Sequence, residues 1–277
     1  MGMGAFDKVN VKLGFSKYEG NQLDWIMKSS QHQILFYDRN QSVKPSDIRA
    51  TDFDRYSFNN HMLFSQMRVQ GGADYLKYIK NIFDSTSQHK EKFYDYDFLL
   101  FENIHEMINA IRKRENEVGL SRVVAGYAWA WETKGNNSLD YDIEIDGLRL
   151  KWNSVTKDWL NSENSVNEVG CIHTIQGYDL NYTGVIIGPE FIVDWESMEF
   201  RVDKEQYKDI SGKRGVENEG ELLAYIKNIY KTLMTRGIMG TYIYVSDSGL
   251  RRYLEQYIYK WSAYASCFFC NFFYSRT

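Results

Sequence analysis

Residues 169–190 read VGCIHTIQGYDLNYTGVIIGPE and place a polar stretch between two apolar runs. The runs at residues 170–173 and 184–188 predict two buried strands. A tight turn between strands requires only a glycine and a short polar residue. This connection instead holds four residues of functional type, namely His173, Gln176, Gly177 and Asp179. The stretch therefore predicts a functional site beside a sheet.

The rest of the chain alternates between helical and extended patterns. Further strands are predicted at residues 33–38, 121–131 and 241–245, and helices at residues 21–30, 104–117, 220–237 and 249–261. The central strands are continuous apolar runs, which are typical of a mostly parallel sheet with helices on both faces. The predicted fold class is therefore α/β. Because ligands bind at the carboxyl ends of the strands in such sheets, we expect residues 173–179 to lie there.

Two β-hairpins are predicted as insertions in this fold. In residues 141–152, apolar residues alternate on either side of Asp146 and Gly147, a pair that supplies the positive φ angles of a two-residue turn. Residues 191–202 show a weaker version of the same pattern around residues 196 and 197. At the end of the helical pattern in 220–237, Gly237 is predicted to act as the C-terminal cap.

The composition is ordinary for a globular protein. Of the 277 residues, 43% are hydrophobic and 25% are charged, and the formal net charge is −4. The overall charge therefore gives no indication of nucleic-acid binding. No apolar run reaches the roughly 20 residues that span a bilayer, and no signal peptide is recognisable. We expect a cytoplasmic protein with no membrane partner.

The three cysteines predict neither a disulfide framework nor a metal site. Cys171 lies in an apolar run and is expected in the core. Cys267 and Cys270 form a C-x-x-C motif without a second cysteine pair or a nearby histidine, so no zinc site is predicted there.

Further polar residues lie at the ends of other predicted elements. They are Asp38, Gln41, Gln66, Arg68 and Arg236. The planar guanidinium of arginine matches phosphate oxygens and remains charged when water is excluded. Glutamine can orient an attacking water or contact a γ-phosphate. Together with the connection at 173–179, these residues suit a polyphosphate site.

Four segments, in this order, resemble the motifs of a helicase family. They are ILFYDRNQSVKPSDI (34–48), SQMR (65–68), IHTIQGYDLNYTGVIIG (172–188) and YKTLMTRGIMGTYIYV (230–245). These segments are similar to motifs III, IV, V and VI of superfamily 1-type DNA/RNA helicase domains, specifically of the Schlafen group 3-like type. AGYAWAW (125–131) is similar to a strand of the same family.

The resemblance implies a RecA-like fold of the P-loop NTPase type, in which two lobes clamp ATP between them. Catalytic roles are implied for Arg236 as an arginine finger, for Arg68, and for Gln41 as a sensor of the γ-phosphate. Nucleotide contacts are implied for Asp38, Gln66, Gln176, Gly177 and Asp179. Nucleic-acid contacts are implied for His173, Tyr178 and Tyr182, with DNA or RNA as the expected partner.

Two motifs of the family are absent from the sequence. These are the Walker A loop, G-x-x-x-x-G-K-[ST], which cradles phosphates, and a Walker B strand ending in Asp-Glu, which holds Mg²⁺. We expect residues 1–48 to be a remnant of the first RecA-like lobe, residues 49–260 the second lobe, and residues 261–277 an aromatic C-terminal tail. The complete protein would use ATP and Mg²⁺, whereas this chain, without its N-terminal lobe, would bind neither tightly and would be inactive alone.

Simpler roles remain open for several of these residues. Asp38 and Gln41 could complete a turn, and His173 could be a hydrogen-bonded structural residue. Arg236 could neutralise the C-terminus of a helix. The whole chain could also be a non-catalytic module that binds nucleic acid or protein through a degenerate helicase fold.

Overall fold

The computed structural model describes residues 5–17, 19–63, 66–136 and 138–262. Most of the expected aromatic tail, including Cys267 and Cys270, lies outside these residues. The strands in the described ranges are β1 (Asp97–Phe101), β2 (Ser121–Ala125), β3 (Ile143–Ile145), β4 (Leu148–Trp152), β5 (Glu168–Cys171), β6 (Leu180–Ile187), β7 (Phe191–Asp194), β8 (Glu199–Val202), β9 (Gly237–Val245) and β10 (Tyr259–Lys260).

These strands form one large sheet and one separate hairpin. The 8-stranded sheet has the order β10-β1-β9-β6-β2-β5-β4-β3. Its neighbouring strands are parallel, except that β3 pairs with β4 in the antiparallel sense at one edge. The strands β7 and β8 pair only with each other. The predicted α/β class with a mostly parallel sheet is confirmed, and the topology is consistent with a RecA-like fold.

Helices precede or follow most of the strands. In the described ranges they are α1 (Ala5–Lys12), α2 (Gln22–Ser29), α3 (Gly72–Phe83), α4 (Ile104–Val118), α5 (Ile172–Ile175), α6 (Ile210–Lys213), α7 (Glu219–Met234) and α8 (Ser248–Leu254), with 3₁₀ turns at Arg39–Gln41, Ala50–Arg55 and Trp159–Asn161. Among these helices, none has both the length and the apolar character needed to cross a membrane.

The helices cover both faces of the sheet, and each face has its own hydrophobic core. Helix α4 packs on one face together with Tyr242 and Tyr244 of β9. Helices α3, α7 and α8 pack on the other face with Ile243 and Val245. Successive residues of β9 alternate between the cores because side chains along a strand point to opposite faces. Burial on both sides explains why these strands read as continuous apolar runs, and the predicted burial of Cys171 is confirmed.

Both predicted hairpins are present. Asp146 and Gly147 have φ angles of 49° and 76° and connect β3 to β4, with Ile145 paired to Leu148. Positive φ at both central residues is what a type I′ turn requires. The second hairpin joins β7 to β8, as residues 191–202 predict.

The strand predicted at residues 33–38 does not form. This segment is irregular, and the side chains of Ile34 and Phe36 are 86% and 85% exposed. A strand requires a neighbour to pair its backbone groups, and no strand in the described ranges pairs with this segment. The prediction was wrong because apolar composition does not reveal whether a partner strand is present.

Three local boundaries also differ from their predictions. The strand predicted at 121–131 ends at Ala125, and the helix predicted at 249–261 ends at Leu254. Gly237 is not the cap of α7, since Thr235 occupies that position. Instead, Gly237 begins β9, where an added Cβ would lie 2.1 Å from the carbonyl oxygen of Gly240. Close approach of the backbone, rather than a positive φ, explains this glycine.

Candidate nucleotide site

The connection between β5 and β6 crosses the sheet from the edge where the parallel strands end, the carboxyl edge, to the edge where they begin, the amino edge. Cys171 at the end of β5 pairs with Ala125 at the end of β2. Leu180 at the start of β6 donates a 2.9 Å hydrogen bond to the carbonyl of Arg236. Because β5 and β6 are parallel, the chain must return to the amino edge. Residues 176–179 therefore lie there, and the expectation that all of 173–179 lies at the carboxyl edge was wrong.

Gly177 supplies the backbone conformation that this return requires. Its φ is +99°, and an added Cβ would meet no atom within 4 Å. Glycine is needed here for its left-handed conformation and not for lack of space.

Arg236 lies at the amino edge, between α7 and β9, and is 1% exposed. Its guanidinium donates hydrogen bonds of 3.3 Å to the carbonyl oxygens of Thr232 and Tyr178 and to Oε1 of Gln41. A guanidinium has about five N–H groups, so donors remain for a further acceptor. Thr232 lies in the last turn of α7, so Arg236 also bonds to a carbonyl at the C-terminal end of this helix, as considered above.

The charge of Arg236 is buried without a salt bridge to any described residue, although burial of an unpaired charge is unfavourable. Burial, and then the nearby charge of Arg68, lower the pKa of Arg236 to about 10, while Asp179 and Asp38 act in the opposite sense. An anion bound beside the guanidinium would relieve this situation.

Asp38 and Gln41 form a short turn next to this arginine. The carboxylate of Asp38 accepts hydrogen bonds from the backbone N–H of Asn40 at 2.9 Å and from the side-chain amide of Gln41 at 3.1 Å. Asp38 thus has the turn-closing role considered above, and its charge also acts on Arg236. The two roles are compatible.

The segment that carries Gln41 is attached to α7 and to the β5–β6 connection. Asn228 of α7 donates a 3.0 Å hydrogen bond to the carbonyl of Ser42. Gln176 donates a bond of the same length to the backbone carbonyl of Gln41. Gln41 therefore accepts one hydrogen bond from Arg236 at its side chain and one from Gln176 at its backbone carbonyl.

Arg68 and Asp179 form a salt bridge at the exposed rim of the site. The amide of Gln66 accepts 3.0 Å bonds from the backbone N–H groups of Arg68 and Val69 and donates to the carbonyl of Val69 at 2.7 Å. Gln66 therefore shapes the loop that carries Arg68. The salt bridge leaves Asp179 paired with Arg68 and not with the buried arginine.

Three buried hydroxyl groups hold the turn between α7 and β9. Tyr75 and Thr241 each donate a 2.9 Å bond to the carbonyl of Met234, and Tyr96 donates a 3.2 Å bond to the carbonyl of Gly237. The hydroxyl oxygens of Tyr96 and Thr241 lie 2.7 Å apart, so either hydroxyl can donate to the other in place of its carbonyl. These carbonyls flank the buried arginine, so the hydroxyls fix its backbone. Sequence patterns did not indicate them, because their partners are distant in the chain.

The residues assigned to nucleic acid from the resemblance are dispersed. His173 lies at the carboxyl edge, where Nε2 bonds to Oδ2 of Asp209 at 2.6 Å. Burial raises the pKa of Asp209 and the bond to His173 lowers it, with a lowered pKa as the net result. Tyr182 is 5% exposed and donates to Asp97 at 3.0 Å beneath α4. Tyr178 reaches the site through its backbone carbonyl, and its side chain packs on the core.

Among the described residues, no group of three or more His, Cys, Asp or Glu side chains is arranged to hold a metal ion. In proteins, Mg²⁺ commonly binds one or two carboxylates together with substrate phosphates and water. Asp38 and Asp179 are carboxylates whose charges act on Arg236. Asp38 is already bonded to Asn40 and Gln41, and Asp179 is paired with Arg68, so these two described carboxylates do not by themselves form a metal site.

Residues 8–247 match the Schlafen group 3, DNA/RNA helicase domain, so the chain is a helicase-like domain. The chain belongs to this family. It is 30% identical over 280 residues to the uncharacterized protein YPL245W of Saccharomyces cerevisiae, and the alignment covers 88% of this chain and 61% of that protein. The chain thus spans about three-fifths of the length of this relative. No solved structure matches the chain.

Proposed function

We propose that this chain supplies the arginine-finger side of an ATP site in a longer, ATP-dependent DNA/RNA helicase or translocase. Membership of a DNA/RNA helicase domain family supports the general function. One observation supports the specific role, namely the buried charge of Arg236, which no described carboxylate neutralises in a salt bridge. Three of the helicase-like segments, 34–48, 172–188 and 230–245, meet at this residue.

A polyphosphate would complete the surroundings of Arg236. Its free N–H groups suit phosphate oxygens, and its unpaired charge suits an anion. During phosphoryl transfer, negative charge spreads over the oxygens of the γ-phosphoryl group, and a fixed arginine stabilises that charge. Arg68 would add a second cation once a phosphate displaces Asp179 from the exposed salt bridge.

Gln41 would couple nucleotide binding at Arg236 to the nucleic-acid-binding parts of the protein. Its side chain contacts Arg236, and its backbone carbonyl contacts Gln176. The β5–β6 connection then runs to His173 at the opposite edge of the sheet. A phosphate that moves the side chain of Arg236 would therefore also move Gln41 and, through Gln176, the β5–β6 connection.

The segment before Asp38 would pack against the other lobe of the ATP site. Ile34 and Phe36 expose large apolar side chains without a partner strand in the described ranges. A second sheet could pair the backbone of this segment and cover both side chains. Since the segment leads directly into Asp38 and Gln41, such packing would bring phosphates held by the other lobe next to Arg236.

The chain alone is expected to bind ATP weakly and not to hydrolyse it, because the groups that cradle the phosphates would come from the other lobe. The test is a titration of the purified chain with a fluorescent ATP analogue and Mg²⁺, with and without single-stranded DNA, while turnover is followed in parallel. We expect millimolar binding that Arg236→Ala abolishes, and no turnover.

Control variants separate this role from general charge effects and from unfolding. Arg112→Ala removes an arginine from α4 on the other face of the sheet and is expected to leave binding unchanged. Arg236→Lys keeps the charge but loses the planar contacts, so we expect it to fold and to bind more weakly than the wild type. Far-UV circular dichroism confirms that each variant is folded.

Two results would contradict the proposal in different ways. Micromolar binding or turnover that requires Arg236 would mean that the chain contains a complete site. Weak ATP binding that is identical in the wild type and in folded Arg236→Lys would remove the role of this arginine. Oligonucleotide binding together with the second result would favour a non-catalytic binding module.

A further inference from the structure

A group of aromatic side chains lies at the carboxyl edge, opposite the candidate nucleotide site. This carboxyl-edge cluster consists of Tyr127, Trp131, Trp152 and His173. The rings of Tyr127 and Trp152 are stacked, with centroids 5.6 Å apart and an interplanar angle of 11°. Tyr127 lies 6.4 Å from His173 and 6.5 Å from Trp131. Trp152 is fully buried and packs against both Tyr127 and Trp131.

Two lysines border this cluster. The Nζ of Lys134 lies 4.8 Å from the ring centroid of Trp131. The backbone N–H of Lys208 donates a 2.9 Å bond to the carbonyl of Tyr127, and the Nζ of this exposed lysine donates a 2.6 Å bond to the carbonyl of Glu205. The ammonium group of Lys134 therefore lies directly beside a half-buried ring, and the backbone of Lys208 lies beside Tyr127.

Two carboxylates near the cluster, Asp142 and Asp209, are already engaged. Asp142 accepts bonds from the backbone N–H and the hydroxyl of Thr133 at 2.7 and 2.8 Å and from the backbone N–H of Trp152 at 3.0 Å. Asp209 is bonded to His173 at 2.6 Å and to the backbone N–H of Ser211 at 2.8 Å. Neither of the two lysines forms a salt bridge with a described carboxylate, and the Nζ of Lys208 bonds to the neutral backbone carbonyl of Glu205, so both charges lack a counter-ion among the described residues.

We propose that the carboxyl-edge cluster binds a single-stranded nucleic acid, with its bases on Tyr127 and Trp131 and its phosphates on Lys134 and Lys208. The inference rests on the proposed function, because it names where the nucleic acid of that helicase-like protein would lie. Aromatic rings stack on bases of any sequence, and nearby cations neutralise the backbone. The bound nucleic acid would lie beside His173, at one end of the β5–β6 connection. Gln176, further along this connection, bonds to Gln41.

The test uses fluorescence anisotropy of labelled oligo-dT and oligo-U with the whole chain over a range of salt concentrations. Trp131→Ala is expected to weaken binding about 5- to 100-fold, as the loss of one stacked base does, whereas Trp131→Phe keeps a ring and should retain most of the affinity. Lys134→Ala is expected to reduce the slope of log K against log salt by about 0.7, the value for one phosphate on a single strand.

A second cation–aromatic pair provides the matched control. The Nζ of Lys90 lies 5.4 Å from the ring of Tyr259, which is 44% exposed on β10 at the far edge of the sheet. Tyr259→Ala and Lys90→Ala remove the same chemistry from another place. Both are expected to leave the affinity and the salt slope unchanged.

The outcomes separate this inference from the proposed function. Absence of oligonucleotide binding, equal binding of single strands and duplexes, or equal losses in the control pair would overturn the inference. If Trp131→Ala does not fold, the salt slope of the surface variant Lys134→Ala decides. Nucleotide binding that depends on Arg236 is measured separately, so it can persist when this inference fails.

Discussion

Arg236 donates a 3.3 Å hydrogen bond to Oε1 of Gln41, although 195 residues separate them in the sequence. The acceptor is a neutral amide, so this contact satisfies one N–H group of the guanidinium without neutralising its charge. A carboxylate in the same position would make an ion pair, and that difference can be tested with one substitution.

Gln41→Glu is expected to strengthen the contact with Arg236 by about 1 kcal/mol, because a hydrogen bond to a buried charge becomes charge-assisted. The lost bond to Asp38 and the repulsion between the two carboxylates offset this gain in the stability of the chain. The same change is expected to weaken ATP binding, since the new carboxylate competes with phosphate for Arg236. Chemical denaturation and nucleotide titration measure the two effects. Gln70→Glu adds the same charge at an exposed position and serves as the control; tighter ATP binding in Gln41→Glu would contradict the account.

Because of Glu190, the stability of the protein is expected to decrease as the pH rises. This side chain is 0% exposed, its Oε1 accepts a hydrogen bond from Tyr230, and its Oε2 has no partner among the described residues. Burial raises its pKa to about 7. The folded state therefore holds a proton that the unfolded state releases near pH 4.5, and this contribution, up to about 3 kcal/mol, is lost as pH rises through 7.

Glu190→Gln isolates this contribution, because the amide remains neutral at every pH and can accept the same bond from Tyr230. The difference in unfolding free energy between wild type and variant cancels the other titrating groups. We expect this difference to change between about pH 4.5 and 7. Parallel profiles for the two proteins would show that Glu190 titrates normally in the folded state.

Gly177→Ala and Gly147→Ala are expected to have similar effects on stability and different effects on the site. Both glycines have positive φ, 99° and 76°, and neither would crowd an added Cβ. Each substitution should cost about 1–2 kcal/mol for the left-handed backbone alone. Only Gly177 lies between Gln176 and Tyr178, so only Gly177→Ala is expected to weaken ATP binding; equal binding by the two variants would contradict this.

Tyr96→Phe tests whether the buried hydroxyls position Arg236. The substitution removes the bonds to Thr241 and to the carbonyl of Gly237 and should cost about 1 kcal/mol of stability. Tyr253→Phe removes a comparable buried bond, of 2.8 Å to the carbonyl of Ile82, away from the site. We expect both variants to lose stability, but only Tyr96→Phe to lose ATP affinity. Equal affinities would indicate a purely structural network.

Much of the fold is predictable from sequence because its signals are local. The Asp146–Gly147 turn requires positive φ at both positions, and the apolar stripe of α7 appears directly in residues 219–234. The segment at 33–38 is different, since its pattern is that of a strand but its pairing depends on another part of the protein. Local patterns therefore predict elements better than they predict sheet membership.

The candidate site shows the same limit. Arg236, Gln41 and Gln176 were expected to lie together, and the structure places them in contact. His173 lies at the carboxyl edge as expected, but residues 176–179 were misplaced by the width of the sheet, because this single motif crosses from one edge to the other. The pairing of Asp209 with His173 and the raised pKa of Glu190 were not predicted, since burial and long-range contacts create them.

The central claim is that Arg236 is a buried cation that binds a phosphate group of the nucleotide. The most direct measurement follows the arginine Nε–Hε signals of the ¹⁵N-labelled chain by NMR, with Arg236 assigned through Arg236→Lys, during addition of ATP, tripolyphosphate or adenosine. The account predicts that ATP and tripolyphosphate shift the Arg236 signal at millimolar concentration and that adenosine does not. An Arg236 signal that stays in place while exposed arginines shift would contradict it.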